Sequence, residues 1–238
     1  MSIHPDITLA TSTKADGNLS FKWGPEGEVL DNRGKFLEKL NIKPEDCIVM
    51  EVEHKDEIIV IDASNKNRTG KETVVAEALI TTEENLPLFL LTADCLPISF
   101  FDPEKQVIAL AHLGWKPTNE LLTQKVVKKM QREFGSNPEN ILAYIGPGIH
   151  KESYIFLDPI QKTLTAWQPF LVDLPSGETQ IDLPGYNKAQ LLEVALREEN
   201  IIIDPVDTAT SLNYFSHYRS VRTGEVEGRF ATLICLKK

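Results

Sequence analysis

Apolar residues recur along this chain with two different spacings. In the first half they form short runs bounded by polar or turn-forming residues, at 47–52, 57–61, 86–92, 96–101 and 107–111. Runs of this length, rich in Val, Ile, Leu and Phe, predict strands. Further on the spacing changes to four. Leu122, Val126, Met130 and Phe134 fall on one face of a helix over 118–134, with Thr118 as its N-cap and Gly135 as its stop. Further helices are predicted over 32–40, 159–170 and 187–199, and a closing strand over 230–236. Strands and helices mix without a strict βαβα alternation. The expected class is therefore α+β, a layered domain with mixed β-sheets flanked by helices. Two polar stretches, 64–73 and the region around Pro175-Ser-Gly-Glu-Thr, read as loops too short to be domain linkers, so one domain is expected over 1–238.

The chemistry concentrates between Leu88 and Trp115. Two apolar runs flank Asp102-Pro-Glu-Lys-Gln, which has turn chemistry, and together they predict a β-hairpin. If Phe101 pairs with Val107, Cys95 faces Leu113 and Leu96 faces His112. A shift of one step puts Cys95 opposite His112 itself. In such registers the thiol and the imidazole lie within about 5–8 Å when they share a face. Such a pair suits a nucleophilic Cys–His dyad or a transition-metal site. For a metal, His54 is the natural third ligand, because it sits between the strand-like runs at 48–52 and 58–61. Three protein ligands leave one position for water or substrate. Plainer roles exist for each residue. A lone cysteine in an apolar run is ordinarily a small buried hydrophobe, His54 between Glu53 and Lys55 can be solvated, and His112 can satisfy a turn.

Composition narrows the function classes. The chain has 238 residues with 42% hydrophobic and 25% charged, which is ordinary for a globular protein. A formal net charge of −10 disfavours a general nucleic-acid binder or a protein of anionic membrane surfaces. No apolar run approaches the roughly 20 residues of a membrane span, and the N-terminal sequence has no signal-peptide pattern, so a cytoplasmic protein is expected. Cys47, Cys95 and Cys235 are too widely spaced to suggest a disulfide framework.

Thr92-Ala-Asp-Cys-Leu-Pro, followed by Ala111-His-Leu-Gly-Trp, resembles the signature of the YfiH-like laccase-domain family, also labelled multicopper polyphenol oxidase. Asn32-Arg, His54 before Ile58-Ile-Val-Ile-Asp, Ala78-Leu-Ile-Thr, Ile145-Gly-Pro-Gly-Ile, and Phe215-Ser-His-Tyr-Arg with Gly228-Arg-Phe resemble its other segments in order. The resemblance implies a zinc site made by His54, Cys95 and His112. It implies phosphorolysis of purine nucleosides such as adenosine and inosine, with adenosine deamination and methylthioadenosine cleavage as associated activities. The oxidase label implies copper instead, but oxidation at several copper sites needs many histidines and this chain has five. Within that reading Lys116 and Arg219 orient the phosphate, and the helix that begins after His112-Leu-Gly-Trp offers its amides. Asp94 is a partner to the centre or a proton carrier, or else a buried hydrogen-bonding carboxylate. Trp115 stacks on the purine or packs, and His217 and Tyr218 stand near the pocket. The implied partners are small molecules, with a monomer or small homo-oligomer expected. The chain departs from the family pattern at Glu53, at Lys55 in place of Gly, at Lys116 in place of Arg, at Lys151-Glu-Ser-Tyr and at Ser220. The expected ligands are thus kept while residues around them differ, which also suits a metal-binding module without catalysis.

Overall fold

Every residue of the strands Leu96–Asp102 and Val107–Leu113 is buried, so their sheet must be covered on both faces. A computed structural model shows how, describing residues 3–62, 64 and 73–238. Residues 65–72 of the polar loop expected at 64–73 lie outside the described residues. The hairpin is the centre of a six-stranded sheet with the order Ile201–Ile203, Leu142–Ile145, Leu96–Asp102, Val107–Leu113, Ala78–Thr81 and Ile58–Ile61. The two outermost pairs are parallel and the inner pairs antiparallel. A five-stranded sheet has the order Ile7–Thr11, Phe230–Leu236, Leu88–Thr92, Ile48–Glu51 and Thr73–Val75. A small third sheet joins Ile155–Leu157, Glu178–Ile181 and Leu171–Asp173.

Period-two alternation sorts the side chains into layers. Phe101, Ile108 and Leu110 of the larger sheet meet Ile48, Leu88, Leu90 and Ile234 of the five-stranded sheet. Their neighbours Ile98, Phe100, Ala109 and Ala111 point the other way, toward the helices Leu122–Phe134 and Leu183–Glu193. On the far side, Phe36 and Leu37 of the helix Glu26–Glu38 cover Val49, Phe89 and Leu233. The protein is an α+β stack, helix on sheet on sheet on helix, as its apolar spacing predicts. No described helix is long and apolar enough to cross a membrane.

The path of the chain between the two large sheets sets up everything that follows. It crosses from the five-stranded to the six-stranded sheet three times, over residues 52–57, 76–77 and 93–95. Backbone amides at 53 and 55 donate to the carboxylate of Glu77, so the first two crossings are tied together. All three crossings meet at one end of the apolar layer between the sheets.

Local structure differs from the predicted elements in instructive places. The first helix starts at Glu26, six residues early, because Gly27 and Gly34 dilute the apolar pattern while Glu26 and Glu28 favour an N-terminus. The helix expected over 118–134 is broken at Leu121, whose φ is 58°, into Trp115–Asn119 and Leu122–Phe134. Thr118 is therefore not a cap, and its buried hydroxyl accepts a hydrogen bond from Asn187. Gly135 does stop the helix, with φ 70°. Residues 159–170 form two short 3-10 turns, the second containing Pro169. The helix expected over 187–199 runs over Leu183–Glu193 instead, capped by Asp182 and followed by Ala195 with φ 66°. The hairpin register also differs by one residue: Phe101 pairs with Ile108 and His112 faces Pro97. A four-residue loop, 103–106, accounts for it, with the Asp102 carboxylate accepting from the amides of Glu104 and Lys105.

Candidate metal centre

The corrected register decides which side chains meet. Continuing the ladder by one pair sets Cys95 across from Gly114, with His112 two residues back along the same strand face. Cys95 and His112 are thus diagonal neighbours at the end of the inter-sheet layer. The closeness has no room for a side chain at 114, since a Cβ there would lie 2.9 Å from the Cys95 Sγ and 3.7 Å from the His54 Nδ1. Gly114→Ala is expected to push the thiol aside and lower metal affinity on the order of tenfold or more, measured by competition with a chromophoric chelator.

His54 arrives from the first crossing with a left-handed backbone, φ 59°. Its ring lies 4.9 Å from that of His112, centre to centre. The ligand atoms of His54, Cys95 and His112 all lie within 4.8 Å of one another. Among the described residues, this is the one such cluster of three or more His, Cys, Asp or Glu side chains.

Glu77, which no sequence motif points to, organises the cluster. It is 1% exposed and lies on the second crossing. One carboxylate oxygen stands 2.7 Å from His112 Nδ1. The other accepts from the amides of Glu53 at 2.7 Å and Lys55 at 3.1 Å, the two residues that flank His54. One buried acid thus orients two imidazoles. Its only trace in the sequence is an acid inside the apolar stretch 74–80. Burial works to raise its pKa, but the bonds from His112 and the two amides outweigh this and hold it below the usual carboxylate range. For His112, burial opposes the charge, while Cys95 and Glu77 overcome it and raise the pKa to about 9. Burial, with His112 and Lys116 nearby, lowers that of His54. A place that holds a proton this firmly between a sulfur and a carboxylate is electrostatically suited to a cation.

The donors fit a transition metal. With Nδ1 of His112 committed to Glu77, Nε2 is left for a metal, the usual carboxylate–histidine arrangement. One sulfur and two imidazole nitrogens form a zinc-compatible set with a fourth position open. They line a cleft of about 1030 Å³.

The other expected residues distribute unevenly. Trp115, Lys116, His217 and Tyr218 line the cleft, and Lys116 lies 5.8 Å from the Trp115 ring centre. Asp94 also lines it, but its two oxygens accept from the Thr208 hydroxyl and the Tyr218 amide, each at 2.7 Å. It ties the loop at 208 and the helix His217–Thr223 to the turn that carries Cys95. Arg219 does not line the cleft. Its guanidinium donates to Glu225 and to the carbonyls of Thr208, Ala209, Ser211 and Tyr214, so no donor is left for an anion. The arginine on that helix that reaches the cleft is Arg222, stacked 3.3 Å from the Tyr218 ring centre. The short helix after Gly114 has only five residues and offers no extended N-terminus for an anion. Tyr154 is a further wall residue; burial, with Cys95 and Asp94 beside it, raises its pKa.

The sequence model of the multi-copper polyphenol oxidoreductase laccase family matches residues 9–237. The chain belongs to this laccase-domain family. It is 28% identical over 222 residues to "Purine nucleoside phosphorylase YlmD" of Bacillus subtilis, covering 90% of this chain and 79% of that one. It is 26% identical over 218 residues to "Adenosine deaminase RL5" from an unknown prokaryotic organism, covering 88% and 82%. The crystal structure of the hypothetical protein YfiH of Bacillus licheniformis superposes with a TM-score of 0.88 at 26% identity, covering 97% of this chain and 93% of that one. The fold of this laccase-domain protein is therefore the YfiH fold, and relatives at modest identity support an enzyme acting on small molecules of the nucleoside kind.

Proposed function

We propose that this laccase-domain protein is a zinc-dependent purine nucleoside phosphorylase acting on adenosine or inosine, with adenosine deamination and methylthioadenosine cleavage as further activities. The observation that carries this reading is the convergence of His54, Cys95 and His112 within 4.8 Å in the lining of a large cleft. Relatives named as phosphorylases and as an adenosine deaminase support the substrate class. A single three-ligand centre among the described residues suits zinc better than oxidation at several coppers. The three cysteines are free, which suits a reducing cytoplasm.

Zinc held by His54, Cys95 and His112 would supply Lewis acidity to a bound substrate. The chain's own residues do the rest. Glu77 holds His112 in one tautomer and fixes the turn that carries His54. Lys116, beside the centre, neutralises an incoming phosphate dianion. The Trp115 and Tyr154 rings give the purine apolar walls. Asp94 keeps the helix His217–Thr223 against the cleft.

The test is release of free base from inosine by the metal-loaded protein, with and without phosphate. The expected result is near one zinc per chain and base release that requires phosphate, with ribose 1-phosphate formed in equal amount. Base release that ignores phosphate, or a metal-free protein with full turnover, contradicts the reading.

A further inference from the structure

The chain carries 25 lysine and arginine residues against 35 acids, yet the cleft reverses that balance. Lys22, Arg33, Lys116, Arg222 and Arg229 line it, against only Glu51 and Asp94 among the acids, which leaves three positive charges in excess. The excess is not neutralised by ion pairing. Arg229 is held by Glu227. The other four have no carboxylate partner among the described residues. All four meet rings within 6 Å, Lys116 at that of Trp115. Arg33 lies 4.4 Å from the Phe21 ring centre, Lys22 lies 5.4 Å from that of Trp23, and Arg222 covers Tyr218. A ring supports a cation without cancelling its charge toward a ligand. The cleft wall also holds a hydroxyl with no hydrogen-bond partner among the described residues, that of Thr92, which is 2% exposed.

In an acidic protein, such a concentration of unpaired cations focuses a positive potential inside a low-dielectric cleft. One phosphate group carries about −1.5 to −2 charges at neutral pH. Lys116, whose charge is felt at His54, serves the phosphate that phosphorolysis needs near the metal. Arg222 comes from a different segment, the helix His217–Thr223, and Lys22 and Arg33 from the N-terminal part of the chain. They answer to anionic groups that the co-substrate phosphate does not supply.

We infer that the ligand of this cleft is a phosphorylated nucleoside, a 5′-mono- or diphosphate, whose phosphates lie on Arg222, Lys22 and Arg33 while its sugar and base reach His54, Cys95 and His112. This rests on the nucleoside reading of the site and sharpens its substrate class. A cleft of this volume, with its rings and unpaired cations, suits such a ligand better than a neutral nucleoside, which uses none of these charges.

The experiment is calorimetric titration of the zinc-loaded protein with inosine, inosine 5′-monophosphate and inosine 5′-diphosphate, at low and at raised salt. The expected result is that each phosphorylated ligand binds at least ten times more tightly than inosine, with the advantage shrinking as salt screens it. In the double variant Lys22→Gln with Arg222→Gln, the ratio of nucleotide to nucleoside affinity is expected to fall toward one. Circular dichroism and bound zinc report that the variant remains folded and loaded. Equal affinity for inosine and its phosphates, or a ratio unmoved by the double variant, overturns the inference. Phosphorolysis of inosine without nucleotide preference removes this inference alone. Tight nucleotide binding without any phosphorolysis supports the inference and removes the phosphorylase reading.

Discussion

Cys95→Ser is expected to empty the metal centre and to cut nucleoside phosphorolysis on the order of a thousandfold. The reasoning runs from the donor set. Serine matches cysteine closely in size, so the hairpin and the contact with Gly114 survive. A neutral hydroxyl, however, is a far poorer zinc ligand than a thiolate, and two imidazoles alone leave the ion half coordinated. A Lewis acid contributes several kcal/mol to the transition state, and each 1.36 kcal/mol is a factor of ten in rate. Elemental analysis and a coupled base-release assay check both halves. Retained zinc with retained turnover would contradict the assignment of Cys95, and retained turnover without zinc would contradict the role of the metal.

Glu77→Gln is the second large effect and the more discriminating one. Glutamate uses both oxygens as acceptors, one toward His112 and one toward the amides of Glu53 and Lys55. Glutamine has a single acceptor oxygen and one NH2 donor. If the oxygen stays with the amides, the NH2 faces His112 Nδ1 and favours the tautomer that protonates Nε2, the nitrogen needed by the metal. If it turns the other way, the amides that shape the His54 turn face a donor. Either way metal affinity is expected to fall by about 10–100-fold, the usual cost of losing such an orienting partner. Glu77→Ala goes further, because it breaks a buried pair and leaves His112 and two amides without a partner, at a cost of about 3–5 kcal/mol in stability. Metal competition titrations and urea unfolding separate the two effects. Full metal affinity in Glu77→Gln would show that the imidazoles are held by something else.

What could be read from the chain follows the distance over which the information travels. Cys95 and His112 belong to one hairpin, so turn chemistry at Asp102 and two apolar runs suffice to bring them together. The pairing was displaced by one residue because the loop at 103–106 takes four residues, with Gln106 at φ 50°. That displacement changes the partner of each residue, yet Cys95 and His112 still share a face. Glu77 was invisible to motif reading because its partners lie 35 residues downstream and 22 to 24 upstream, on separate crossings. The helix His217–Thr223 shows the same limit at closer range. Arg219 and Arg222 are three residues apart, and only the packing of the loop carbonyls from Thr208 to Tyr214 makes the first structural and leaves the second to the cleft. The layered class was legible because period-two runs and the spacing-of-four helix are both local signals. Helix boundaries were not, since Leu121 and Ala195 take left-handed backbone conformations that residue type does not announce.

The central claim is that one sulfur and two imidazoles hold a single ion. Zinc-edge X-ray absorption of the loaded protein tests it most directly. The account predicts one sulfur neighbour at about 2.3 Å and two nitrogens at about 2.0–2.1 Å. A coordination sphere of nitrogen and oxygen alone, with no sulfur, would contradict it.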